Sequence, residues 1–162
     1  MKVNKYQPHV LVLPEDDANR QIANGFLLDP AVLAHRIDVR EVAGGSFQVL
    51  ERFKSDHIRS MGKYANRLMV LLIDCDGNAD RLDKAKGQVP NDLKERVFVI
   101  GARTKPEHLK AALGSYETIG KALAQDCRDG TDTTWSHALL RHNAEEVARL
   151  RDRVRPILFE GS

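Results

Sequence analysis

The chain has 162 residues, 42% apolar and 30% charged, with a formal net charge of +2. That length supports one domain with a buried core and is short for two, and the composition excludes disordered and fibrous classes. Near-neutral charge excludes a strong global field for nucleic acid or anionic membranes, and no apolar run reaches membrane-spanning length.

MKVNKYQPHV lacks the apolar core of a signal peptide, so no leader is expected. Cys75 and Cys127 match neither a disulfide framework nor a zinc motif, so reduced thiols and a cytoplasmic location are expected. His9 to Leu13 reads as a short first strand, closed by Pro14 and the acids Glu15, Asp16 and Asp17. Acids there suit a helix start, where unpaired N–H groups carry partial positive charge. Ala18, Ile22, Ala23, Phe26 and Leu27 follow at helical spacing up to Asp29-Pro30. Ile37, Val39 and Val42 mark a second strand that ends at Gly44-Gly45-Ser46. Phe47, Leu50, Phe53, Ile58 and Met61 then mark a long helix that Gly62 is expected to end. The Gly44-Gly45 pair either lets a phosphate approach the helix start or makes a tight turn.

The third strand is the stretch around which the rest is arranged, RLMVLLIDCDGN from Arg67 to Asn78. Leu68 to Ile73 is short and continuously apolar, as a strand buried on both faces of a parallel sheet must be. Strand alternation would aim Asp74 and Asp76 to one side and Cys75 to the other. Two carboxylates held that close repel unless a cation separates them, which suggests Mg2+ or Mn2+; a solvated Asp-Gly turn is the plainer alternative. A polar loop follows, with room for a turn of helix, in which Asp80 would be a third oxygen ligand or a cap. RVFVI makes a fourth strand, then Gly101, and Arg103, Lys105 and Glu107 at the next helix start.

Four strand–helix alternations predict an α/β fold: a Rossmann-like parallel sheet of about four strands, flanked by helices through right-handed crossovers. The carboxyl ends of its strands share one edge, where Glu15, Gly44, Gly45, Asp74, Asp76, Arg103 and Lys105 would meet. The core is expected over 1–113, with 114–162 as a helical extension packed on the same domain. In that extension Ile119, Ala122, Leu123 and Cys127 mark one helix, and Thr133 or Thr134 would cap a second one through Trp135 and Leu139. Asn143 and Glu146 resemble a capping box for a last helix that Pro156 would end. Arg149, Arg151, Arg153 and Arg155 read as a solvated basic face rather than a nucleic-acid patch.

The order of these features resembles the Toprim domain of topoisomerases, primases, maturation nucleases and overcoming-lysogenisation-defect nucleases. The similarity lies in Glu15 of VLVLPEDD, Gly44-Gly45 of REVAGGS and Asp74/Asp76 of VLLIDCDGN, across about residues 9 to 101. Asp16 and Asn19 stand where the family usually carries Gly and Asp. The resemblance implies Mg2+-dependent cleavage of phosphodiester bonds in DNA or RNA. Asp74 and Asp76 would hold the metal, and Glu15 would be a further ligand or move a proton. Arg103 and Lys105, by position, would add charge opposite a phosphate. The alternative is a catalytically silent Toprim-fold subunit or regulator, with a protein partner or a second copy bound through the helical tail.

Overall fold

A computed structural model describes residues 3–78 and 80–160. Four strands, β1 (His9–Pro14), β2 (Ile37–Val39), β3 (Arg67–Leu72) and β4 (Val97–Ile100), form one sheet in the order β2-β1-β3-β4. Every pairing is parallel, as expected for strands returned by helical crossovers. The helices are α1 (Asp17–Leu27), α2 (Ser46–Arg52), α3 (Ile58–Lys63), α4 (Asp80–Gly87), α5 (Pro106–Leu113), α6 (Tyr116–Asp129) and α7 (Ala144–Leu158). A π-helical turn, Phe53–His57, joins α2 to α3.

Side-chain alternation divides the core into two layers. Leu11, Leu13, Met69, Leu71, Val97 and Val99 face one way and pack on Val49, Phe53, Met61, Leu82 and Ala85 of the α2–α4 layer. Val10, Val12, Leu68, Val70, Phe98 and Ile100 face the other way, onto Ala23, Ala124, Cys127, Val154 and Leu158 of α1, α6 and α7. Residues beyond 113 therefore share with α1 the cover of one face of the sheet. The chain leaves β1 toward β2 and returns to β3 on the opposite side, so the strand order reverses between β1 and β3. That reversal opens a crevice at their carboxyl ends.

Several expectations are corrected by tertiary contacts. β2 stops at Val39, before Val42. Gly62 lies inside α3, which runs to Lys63. The polar loop after β3 holds an eight-residue helix, α4, because Leu82 and Ala85 bury against the sheet. No helix forms over Thr133 to Leu139: the buried Asp126 carboxylate accepts the N–H groups of Thr133, Thr134 and Trp135 and the Thr131 hydroxyl, which winds the segment into turns. Removing that acceptor in Asp126→Ala is expected to loosen the loop, and a red shift in emission of Trp135, the sole tryptophan, would report it. Unchanged emission would show that the loop is held otherwise.

Asn143 and Glu146 do not form a capping box. Both side chains reach the exposed edge of β4, where Glu146 Oε2 accepts from the Val99 N–H at 2.9 Å and Asn143 Oδ1 from the Gly101 N–H at 3.3 Å. An edge strand offers unpaired backbone groups, and here Glu146 of α7 satisfies one in β4 while Asn143, just before α7, satisfies the next one beyond the strand. Glu146→Ala would leave the Val99 donor buried and unpaired and is expected to cost about 2 kcal/mol, read from the denaturation midpoint. Pro156 falls within α7, which continues because Leu158 and Phe159 are each 2% exposed and anchored in the core. Of the arginines of α7, Arg149 and Arg153 are exposed and Arg151 and Arg155 half-buried, and all four also tie α7 to backbone carbonyls. Arg149 donates to the Lys94 and Val97 carbonyls, Arg151 to Thr131, Arg153 to Glu95 and Arg155 to Arg128.

Candidate metal centre

Pro14 ends β1 and Asp16 begins α1, so the chain turns sharply at the carboxyl edge of the sheet with Glu15 at the bend. Asp16 caps α1: its backbone is extended, and its carboxylate accepts from the Asn19 N–H at 2.9 Å. Two residues past β3, Asp74 enters the same crevice and is 2% exposed. Glu15 Oε2 accepts from the Asp74 N–H at 2.8 Å, so the two strand ends are tied carboxylate to backbone. One carboxylate oxygen each of Glu15, Asp16 and Asp74 lies within 4.8 Å of the others. Three hard oxygen donors at that spacing could hold a divalent cation such as Mg2+ or Mn2+.

The electrostatics are unbalanced without a cation. Burial pushes the Asp74 carboxyl up to about 7, aided by the negative charges of Asp16 and Glu15 and opposed by hydrogen bonds from Asn19 and Ala102. Its Oδ2 accepts from Asn19 Nδ2 at 2.9 Å and its Oδ1 from the Ala102 N–H at 3.2 Å. Behind it lies an apolar cavity of about 50 Å³ bordered by Ile22, Leu72, Leu109 and Leu140, which explains the desolvation. Glu15 is also shifted upward, by burial first and then by Asp16 and Asp76, against the Asp74 N–H bond and Arg81.

The residues singled out by sequence divide into two groups. Glu15 and Asp74 converge as expected. Asp76 does not join them: it is exposed, adopts φ 50° and pairs through Oδ2 with Arg81 at 3.1 Å. Backbone pairing with the β4 chain continues past Leu72, from the Ile73 and Cys75 N–H groups to the Ile100 and Ala102 carbonyls, and the positive φ of Asp76 is what breaks the alternation. Asp80 lies outside the group, exposed on the first turn of α4, with its N–H bonded to Asn78 Oδ1. The Gly44-Gly45 turn borders the site, since the Gly44 N–H donates to the Glu15 carbonyl at 2.9 Å. Gly44 has φ +100°, a conformation that favours glycine. Arg103 and Lys105 are exposed between β4 and α5, and the Gly77 N–H donates to the Arg103 carbonyl at 2.9 Å, which ties that loop to the Asp76 turn.

In the sequence Asp16 read as a helix-start acid, Asp16 and Asn19 both stood out as departures from the resembled pattern, and Arg81 carried no signal. The cap spacing from Asp16 to Asn19 could have shown that one turn of α1 presents both side chains at the strand end. The class of protein so defined is a doubly wound α/β protein with an acidic crevice at its topological switch point. No family model, curated protein or solved structure matches the chain. No helix among the described residues is long and apolar enough to cross a membrane.

Proposed function

We propose that this chain is a Toprim-like, divalent-metal-dependent protein that cleaves phosphodiester bonds in nucleic acid. The observation that carries the reading is the convergence of Glu15, Asp16 and Asp74 in one crevice, whose burial shifts the Glu15 and Asp74 carboxyls upward. These three would hold Mg2+ or Mn2+. When bound, the ion would neutralise charge on the phosphate and acidify a water molecule. The chain's own contribution is orientation. Asn19 and the Ala102 N–H fix the Asp74 carboxylate, while the Asp74 N–H engages Oε2 of Glu15. Burial shifts Glu15 upward, which suits it to move a proton if it is not itself a ligand. Arg81, Arg103 and Lys105 would attract the phosphate backbone, and the open turn at Gly44 leaves space for its approach. DNA and RNA fit this chemistry equally.

Two observations favour the silent alternative. Asn19 places an amide against Asp74 where the resemblance would have a carboxylate, and Asp76 is engaged by Arg81. Calorimetric titration with Mg2+ and Mn2+, paired with cleavage of labelled single- and double-stranded DNA and RNA, separates the readings. Metal binding with metal-dependent cleavage, both lost in Asp74→Asn, supports the nuclease. Metal binding without cleavage of any substrate supports the silent module. No binding at millimolar metal overturns the metal centre.

A further inference from the structure

On the α2–α3 side of the sheet, a cavity of about 740 Å³ opens between the start of β3, the edge strand β2 and the π-helical turn. Helical side chains cover the neighbouring sheet surface, but here the sheet presents Asp38 and Arg40. A π-helical turn widens a helix by one residue and often marks a functional position; this one carries His57 into the cavity wall. His57 is 6% exposed, and its Nδ1 has no hydrogen-bond partner among the described residues. A buried polar nitrogen left without a partner costs stability, and because Nδ1 is closed to solvent, a turn of the ring toward the cavity is needed for a ligand atom to satisfy it.

A second buried group in the same wall lacks its counter-charge. Arg67 is 5% exposed and forms no ion pair among the described residues. Its Nε donates to neutral-leaning His9 at 3.0 Å, and its guanidinium lies 5.0 Å from the Tyr64 ring centre. Lys5 and Lys63 approach the same ring at 5.4 Å each, so three cations gather around one aromatic ring. Arg40 and Arg52 complete the cationic side of the cavity. The acids that line it are Asp38, Glu41 and Asp56; Asp38 is already paired with Arg40 at 3.0 Å.

We propose that this cavity is a binding site for a small phosphate monoester, its phosphate seated against Arg67 and His57 and flanked by Arg40, Arg52 and Lys5. Four cations from four separate segments suit a dianion with three terminal oxygens better than a two-oxygen carboxylate. The volume lies in the range of small-molecule pockets. The site is independent of the acidic crevice. Arg67 opens β3 and Asp74 lies beyond its other end, about 20 Å away along the strand.

Protein labelled with 15N in its histidine rings, free of divalent metal and at constant ionic strength, would be titrated with inorganic phosphate, glycerol 3-phosphate, acetate and a short oligonucleotide. The His57 ring resonances are expected to shift saturably with phosphate and glycerol 3-phosphate below about 20 mM. In Arg40→Gln/Arg52→Gln, which alters exposed and half-buried side chains rather than the core, the same shift should require at least tenfold more ligand at an unchanged melting temperature. No saturable shift, or an equal shift in the variant, overturns the site. A response to acetate alone or to the oligonucleotide alone also overturns it, and reassigns the cavity to carboxylates or to nucleic acid.

Discussion

Asp74→Asn is expected to weaken Mn2+ binding by about a hundredfold or more, and to raise the melting temperature of the metal-free protein at pH 8. Both effects have one origin. The Asp74 carboxyl titrates near 3.8 in the unfolded chain and at about 7 in the folded one. Between those values the native state holds the extra proton, so stability falls as pH rises from 4 to 7 and levels off above 7. The full loss is on the order of 4 kcal/mol at pH 8. Asparagine removes that charge, and Asn19 can rotate its amide to accept where it formerly donated, which keeps the buried pair bonded. Thermal melts between pH 5 and pH 8 should show a slope for the wild type and a shallower one for the variant, with the remainder due to Glu15, which is shifted the same way. Mg2+ should reverse the slope for the wild type alone, because it favours the deprotonated form. Asp76→Asn should weaken metal binding only a few-fold, since Asp76 acts on the crevice through its charge. If Asp74→Asn lowers the melting temperature at pH 8, the carboxylate is a structural acceptor, not a metal ligand.

Gly120→Ala is expected to destabilise the fold by about 3 kcal/mol, or roughly 10 °C in melting temperature. A Cβ at Gly120 would stand 2.0 Å from the Ile22 carbonyl oxygen and 2.7 Å from the Phe26 nitrogen, both backbone atoms of α1. Gly25, on the opposing helix, is as confined: its Cβ would meet the Glu117 carbonyl oxygen at 2.3 Å. The two glycines let α1 and α6 approach closely, and neither helix can yield without unseating the layer that covers β1. Because α1 also carries Asp16 and Asn19, Gly120→Ala should weaken Mn2+ binding together with stability. A melting temperature within a degree or two of wild type would mean that α6 can shift and that the contact is not tight.

The parallel sheet was legible because its signal is local and redundant. Leu68 to Ile73 and Val97 to Ile100 are apolar on both faces, and only a strand covered by helices on both sides requires that. Glu15 and Asp74 were legible for the same reason: each follows an apolar run directly, and every such run in a doubly wound sheet ends at one edge. Misreadings clustered where a side chain serves a distant partner. Asn143 and Glu146 fit a capping pattern three residues apart, yet their acceptors go to β4. Thr133 and Thr134 fit a helix start, yet Asp126 takes their N–H groups.

What the sequence determined by itself was the class: an α/β chain whose hydrophobic periods demand buried parallel strands, with acids at two of their ends. What only the tertiary structure decided was membership of the acidic group. Asp16 enters because the cap geometry of α1 turns it toward β3, and Asp76 leaves because the chain turns left-handed at Asp76 and Gly77 and Arg81 pairs with the Asp76 carboxylate. The cavity beside His57 was likewise invisible in sequence, since its cations come from segments far apart in the chain and meet only through the crossover that places β2 beside β1. Local patterning encodes which residues must be buried, whereas the direction of a polar side chain at the end of an element depends on partners that the fold alone brings within reach.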